Sequence, residues 1–139
     1  MSPTRLRVRF YELDPYGHVN HGVYLNYFEV ARIDVLDEIG YGLGALRELG
    51  YHLLVVESHL RFHRPALAGD ELTVHTRIGE LRRASATWEQ HLWRGDALIA
   101  ENTIRSAITD LAGRPTRPPA GLAAALQRLV GDVGERRGA

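Results

Sequence analysis

Apolar positions change their period twice along the chain. From Arg5 to Glu12 they alternate, with Leu6, Val8 and Phe10 on one side, which predicts a strand. From Val23 to Ile39, Tyr24, Tyr27, Phe28, Ala31, Val35 and Ile39 recur at three- and four-residue steps, which predicts a long helix. Apolar side chains fall on most faces of that helix, so it is expected to be buried. Gly40, Gly42 and Gly44 end it, and Ala45 to Leu49 predicts a short second helix. Strand signals then return. Tyr51 to His63 is rich in strand formers and ends at Pro65, and Leu72, Val74, Thr76 and Ile78 alternate within Leu72 to Leu81. Ala84 to Trp93 and Ala97 to Thr109 are two more strands, joined at Gly95-Asp96, a tight hairpin signal. Asp110 to Arg114 predicts a turn, Leu122 to Val130 a short terminal helix, and Gly131 to Ala139 a polar tail that frays.

A strand, a long helix and then four regularly spaced strands is an α+β order, and a mostly antiparallel sheet can wrap such a helix. Internal repeats and low-complexity segments are absent. A chain of 139 residues suits one domain, 1–139, with one core. No apolar run is long enough to span a bilayer, and MSPTRLRVRF lacks the apolar region of a signal peptide, so a cytoplasmic, non-membrane protein is expected. The absence of cysteine excludes disulfides, thiolate metal sites and a cysteine nucleophile. With 17 basic and 17 acidic residues the net charge is zero, which argues against a nucleic-acid partner. Every one of those 17 basic residues is arginine. Genomic composition and thermal adaptation explain that bias. Arginine's planar fork also suits phosphate, and the lack of lysine excludes Schiff-base and P-loop chemistry.

The densest chemistry lies in Tyr11 to Arg32, YELDPYGHVNHGVYLNYFEVAR. Asp14 follows a strand signal and precedes Pro15 and Gly17, which places it on a loop just before the long helix. On its own it reads as a turn or capping aspartate. A carboxylate facing a helix start is also a working pair: the carboxylate serves as base or nucleophile, and free N–H groups at the helix N-terminus polarise a carbonyl. Asn20 suits the helix N-cap. Asp14, His18, His21, Glu29, His59 and His63 raise the question of a metal, but none forms a known ligand spacing, so no metal is expected.

This stretch resembles the signature of the 4-hydroxybenzoyl-CoA thioesterase family, a branch of the hotdog-fold acyl-CoA thioesterases, through Asp14, Gly17, Val19, Tyr24, Glu29, Ala31 and Arg32. A second match is RFHRPALAGDEL, Arg61 to Leu72, similar to the family's strand, proline loop, Gly-Asp and strand. The resemblance implies a hotdog fold, an antiparallel sheet wrapped around a long central helix. It also implies a homodimer or homotetramer with the active site at the subunit interface, an acyl-CoA substrate and no cofactor.

Residue by residue, the resemblance makes Asp14 the catalytic carboxylate. His21 opens the helix with its N–H toward the thioester oxygen, and its imidazole is a further candidate. His18 belongs to the catalytic loop and could hold Asp14 in place. Asn20 and Tyr24 are substrate-side candidates, with Tyr24, Tyr27 and Phe28 otherwise core residues. Arg61 and Arg64, or Arg82 and Arg83, could hold the phosphates of coenzyme A, although solvated strand ends explain each arginine separately. Glu29 is expected to be structural, paired with Arg32 or a sheet arginine, and Asp70 to fix the Gly69 turn. GHVNH is also similar to the loop of acyl-ACP thioesterases, which use an Asp, an Asn and a His; His18 matches that histidine, but Tyr16 stands where the asparagine would be. A hydratase acting on acyl thioesters, a non-catalytic acyl-CoA-binding module and a purely structural domain are the other readings.

Overall fold

The computed structural model describes residues 2–131; residues 132–139, the greater part of the expected tail, lie outside the described residues. Strands β1 (Thr4–Arg7), β2 (Tyr51–Phe62), β3 (Glu71–Leu81), β4 (Ser85–Arg94) and β5 (Ala97–Asp110) form one sheet in the order β1-β3-β4-β5-β2. Every adjacent pair is antiparallel. Helices α1 (His21–Glu38), α2 (Leu43–Leu49) and α3 (Ala120–Gln127) complete the described chain. The register slips at Val55/Glu57 in β2 and at Ile78/Glu80 in β3. An extra residue in one strand increases local twist, so these bulges help curl the sheet around α1.

Helix α1 divides the core into two clusters. Its first half packs Tyr24, Tyr27, Phe28 and Ala31 against Val8, Leu72, Val74, Leu92 and Ile99. Its second half packs Val35, Leu36 and Ile39 against Trp88, Ile104, Ile108 and the α3 residues Leu122, Ala125 and Leu126. The helix ends where Gly40 takes φ +84°, a left-handed position that glycine reaches without strain.

Four expectations need correction. The first strand stops at Arg7 instead of running to Glu12, and residues Phe10–Glu12 form a single 3-10 turn. The Glu12 carboxylate accepts a hydrogen bond from the Arg9 N–H at 2.7 Å, so a side chain takes a donor that a longer strand would have used. Phe10, in register with Leu6 and Val8 by alternation, is consequently 81% exposed. Second, the apolar period starts at Val23 but α1 itself begins at His21, directly after the Asn20 cap, where the cap and the resemblance place it. Third, α1 is not buried all round in the single chain, because Leu25 and Val30 remain exposed. Fourth, the last helix spans 120–127 instead of 122–130, starting directly after Pro119. The β4–β5 hairpin at Gly95-Asp96 and the second short helix form as expected.

Candidate active site

The loop from Glu12 to Asn20 is closed at its neck. Asn20 N–H donates to the Glu12 carbonyl at 2.8 Å, Asp14 N–H donates to the His18 carbonyl at 2.7 Å, and Leu13 bridges Val19. Gly17 donates its N–H to the Asp14 carbonyl and holds φ +81°, which the turn after Pro15 requires. The loop is docked at both ends. Val19 N–H donates to the Ala66 carbonyl at 2.9 Å, and His18 bridges Leu67, so the two sequence motifs meet in space. Underneath, Glu12 accepts from the Tyr27 hydroxyl at 2.7 Å, tying the loop to α1. Burial, reinforced by that carboxylate, pushes the Tyr27 phenol well above its usual range, so it stays a donor.

Asp14 has one oxygen committed and one free. Oδ1 accepts from the Tyr16 N–H at 2.8 Å and the His18 N–H at 3.1 Å. Oδ2 has no hydrogen-bond partner among the described residues. It is the backbone of His18, not its imidazole, that holds the carboxylate. Asn20 is the N-cap of α1: its Oδ1 accepts from the Gly22 N–H at 2.9 Å, and its carbonyl accepts from the Val23 N–H. The His21 N–H is left without a partner among the described residues. A helix start therefore presents a free donor beside a half-free carboxylate.

These groups open into one cavity of about 310 Å³, lined by Asp14, His18, Val19, His21, Tyr24, Phe62, His63, Arg64 and Pro65. Tyr24 is buried, accepts from the Ala66 N–H at 3.2 Å and packs edge-on to Phe62 at 5.1 Å between ring centroids. Burial raises its phenol above the usual value, against the opposing hydrogen bond from Ala66. His63 also lines the cavity, with Nε2 2.8 Å from Glu101 Oε2.

The remaining candidates lie elsewhere. Arg61 is exposed and reaches Glu101 at 4.0 Å. Arg82 pairs with Glu80 at 2.7 Å at the β3–β4 turn, the opposite end of β3 from Ala66 and Leu67, on which the Glu12–Asn20 loop docks. Strand β3 is 11 residues long, so roughly 30 Å separates Arg82 from the cavity end. Glu29 is exposed, and Arg32 is buried and bonds Gln90 Oε1 at 2.9 Å instead of pairing with Glu29. Burial lowers the Arg32 pKa, and the charge of Glu29 partly offsets this. Asp70 Oδ2 accepts from the Leu67 N–H, so it does fix the Gly69 turn, and it also meets Arg94 at 2.7 Å. Sequence reasoning missed Glu12 and Glu101 and weighed His63 only as a metal ligand. Its place inside the second motif, two residues before Pro65, was the one signal available for His63.

A five-stranded antiparallel sheet curled around a central helix, with a cavity at the helix start, is the hotdog fold. Residues 8–126 match the model of the thioesterase-like superfamily, and the chain belongs to that family. It is 29% identical over 126 residues to an acyl-CoA thioesterase of Haemophilus influenzae, covering 89% of this chain and 93% of that one. It is 33% identical over 116 residues to a chloroplastic acyl-acyl carrier protein thioesterase of Arabidopsis thaliana, covering 82% of this chain but 62% of the plant protein. The crystal structure of a hypothetical protein from Thermus thermophilus superposes with a TM-score of 0.87 at 34% identity, over 93% of this chain and 99% of that one.

Proposed function

We propose that this thioester hydrolase cleaves an acyl-CoA to the free acid and coenzyme A. The observation that carries the reading is the pairing of Asp14 and His21 on one cavity: a carboxylate with a free Oδ2 and a helix-start N–H with no partner. Asp14 Oδ2 either attacks the thioester carbonyl or takes the proton of an attacking water. The His21 N–H receives the carbonyl oxygen as it gains charge, an interaction commonly worth about 2.7–4 kcal/mol in the transition state. Tyr24 and Phe62 form the apolar wall of the cavity, and Arg64 lies on it as a cation for the phosphates of coenzyme A. Arg61, near the end of β2, is proposed as a second cation although it does not line the cavity, whereas Arg82 at the far end of β3 is not.

An oligomer follows from the sheet edges. Strand β1 has four residues, but β2 is a 12-residue edge that exposes Leu54, Val55 and Val56 by 42%, 50% and 49%. A long apolar edge is a template for pairing, and pairing with a second copy would make two sheets continuous and bring a second subunit to the site. A homodimer, or a homotetramer built from it, is therefore proposed, and light scattering after gel filtration measures it.

The test of function is thiol release across acetyl- to palmitoyl-CoA with benzoyl- and phenylacetyl-CoA, with Asp14→Asn alongside. Asp14-dependent release is expected. The likeness to the plant relative favours acyl-ACP as the second substrate class, so acyl-ACP is run in the same panel. Preference for it over every acyl-CoA would overturn the proposed substrate.

A further inference from the structure

Asp14 is not the only proton-handling group on the cavity. His63 follows the last residue of β2 and is fixed by its backbone: the His63 and Arg64 N–H groups both donate to the Ile99 carbonyl, at 2.8 and 3.1 Å. Its ring reaches Glu101 on β5, Nε2 to Oε2, at 2.8 Å. The two side chains are 32% and 29% exposed, so the bond is partly shielded from water. Burial works against the charge on Glu101, but the hydrogen bond from His63, with His91 and Arg61 nearby, holds its carboxyl below the usual carboxylate range. An ionised carboxylate only accepts hydrogen bonds, so the hydrogen sits on Nε2 and the basic nitrogen of the neutral imidazole is Nδ1. A histidine oriented by a carboxylate, on a cavity that also holds a candidate nucleophile, is the arrangement of a general base. The other charged or titratable groups around it, among the described residues, are Arg61 and His91 flanking Glu101, and Asp14, His18, His21, Tyr24 and Arg64 around the cavity.

We propose that His63, positioned by Glu101, is a catalytic base of this site, which leaves Asp14 as the nucleophile. The inference rests on the thioesterase reading above. In the first step Asp14 Oδ2 attacks the thioester carbonyl carbon, the C–S bond breaks, and coenzyme A leaves as the thiolate. An acyl-aspartyl anhydride remains. In the second step water attacks the acyl carbon while His63 Nδ1 takes its proton. The bond to Asp14 breaks, Asp14 is released as the carboxylate, and the product departs as the carboxylic acid, carrying the second hydrogen of the water, which it then gives up to solvent. The proton passes from Nδ1 through solvent to the thiolate, so thioester and water become acid and thiol. Glu101 touches no reacting atom; it is a positioning residue.

Rapid mixing of the full chain with an acyl-CoA it hydrolyses, following thiol, tests this with His63→Gln and Glu101→Gln. For His63→Gln the first coenzyme A per site should appear at a near wild-type rate. Steady-state turnover should then fall by about 100-fold, the low end of general-base effects, and recover in part with imidazole in the buffer. Glu101→Gln should lower the same steady-state rate by less and shift its pH profile. Rescue by imidazole keeps the test decisive even if His63→Gln lowers the melting temperature. The proposal is overturned if His63→Gln keeps wild-type turnover, if only KM changes, or if the first turnover is lost with the later ones. A wild-type chain that releases thiol from no acyl-CoA overturns the thioesterase reading and this one together. Turnover that needs Asp14 but not His63 overturns this one alone.

Discussion

The two ends of α1 are built for opposite purposes. Around its second half, Trp88, Leu122 and Leu126 are almost fully buried, Trp88 donates its indole N–H to Ser106 Oγ at 2.9 Å, and α3 closes the end of the sheet. Around its first turn, which starts at His21, the loop with Asp14 and His18 opens onto the cavity instead of a further apolar layer. One end contributes stability through buried area. The other leaves the His21 N–H and Asp14 Oδ2 without protein partners among the described residues, on residues that solvent reaches, so both are available to a substrate. The same helix can do both because its N-terminus carries unpaired N–H groups by construction.

The sharpest break between the ends should come from Asp14→Asn. The amide keeps Oδ1 as acceptor for Tyr16 and His18, so the loop should hold while the reactive oxygen is lost. Turnover in the thiol-release assay should fall by about 10²–10⁴-fold with an unchanged melting temperature. His18→Ala should cost less than Asp14→Asn, because the bond to Asp14 comes from the His18 backbone. Equal losses would mean that the imidazole itself takes part.

Trp88→Ala should show the opposite signature. Loss of a large buried ring should lower unfolding free energy in urea by about 3–5 kcal/mol while turnover per folded molecule is kept. Asn20→Ala lies between the two. Removing the cap should cost about 1 kcal/mol and also lower turnover, since the first turn of α1 that presents His21 would fray.

The smallest effect is electrostatic. Glu101 is held below its ordinary value of 4.5 against the opposing effect of its own burial, so folding favours its ionised form. That contribution is full above the usual carboxylate range and is lost as pH falls through the folded value. Scanning calorimetry should find the melting-temperature gap between wild type and Glu101→Gln widest near neutral pH and shrinking below about pH 4.

Local pattern was enough for α1, for the β4–β5 hairpin and for the four long strands, because their periods and turn residues are written in consecutive positions. It was enough for Asp14, Asn20 and His21, whose roles in the loop and at the helix start depend on neighbours within a few residues. It failed at Phe10, where alternation continued but the Glu12 carboxylate took the Arg9 donor. Local pattern also gave no sign that Arg82, which looks like Arg61 and Arg64 in sequence, lies at the far end of β3.

What the sequence by itself determined is therefore the set of elements, their order and the loop that carries Asp14, since helix and strand periods and caps act over short spans. Only the tertiary structure decided which distant groups meet: Ala66 on the Val19 N–H, Glu12 on Tyr27, Glu101 on His63. Their separations of 47, 15 and 38 residues carry no local signal, because antiparallel pairing and the curl of the sheet set them.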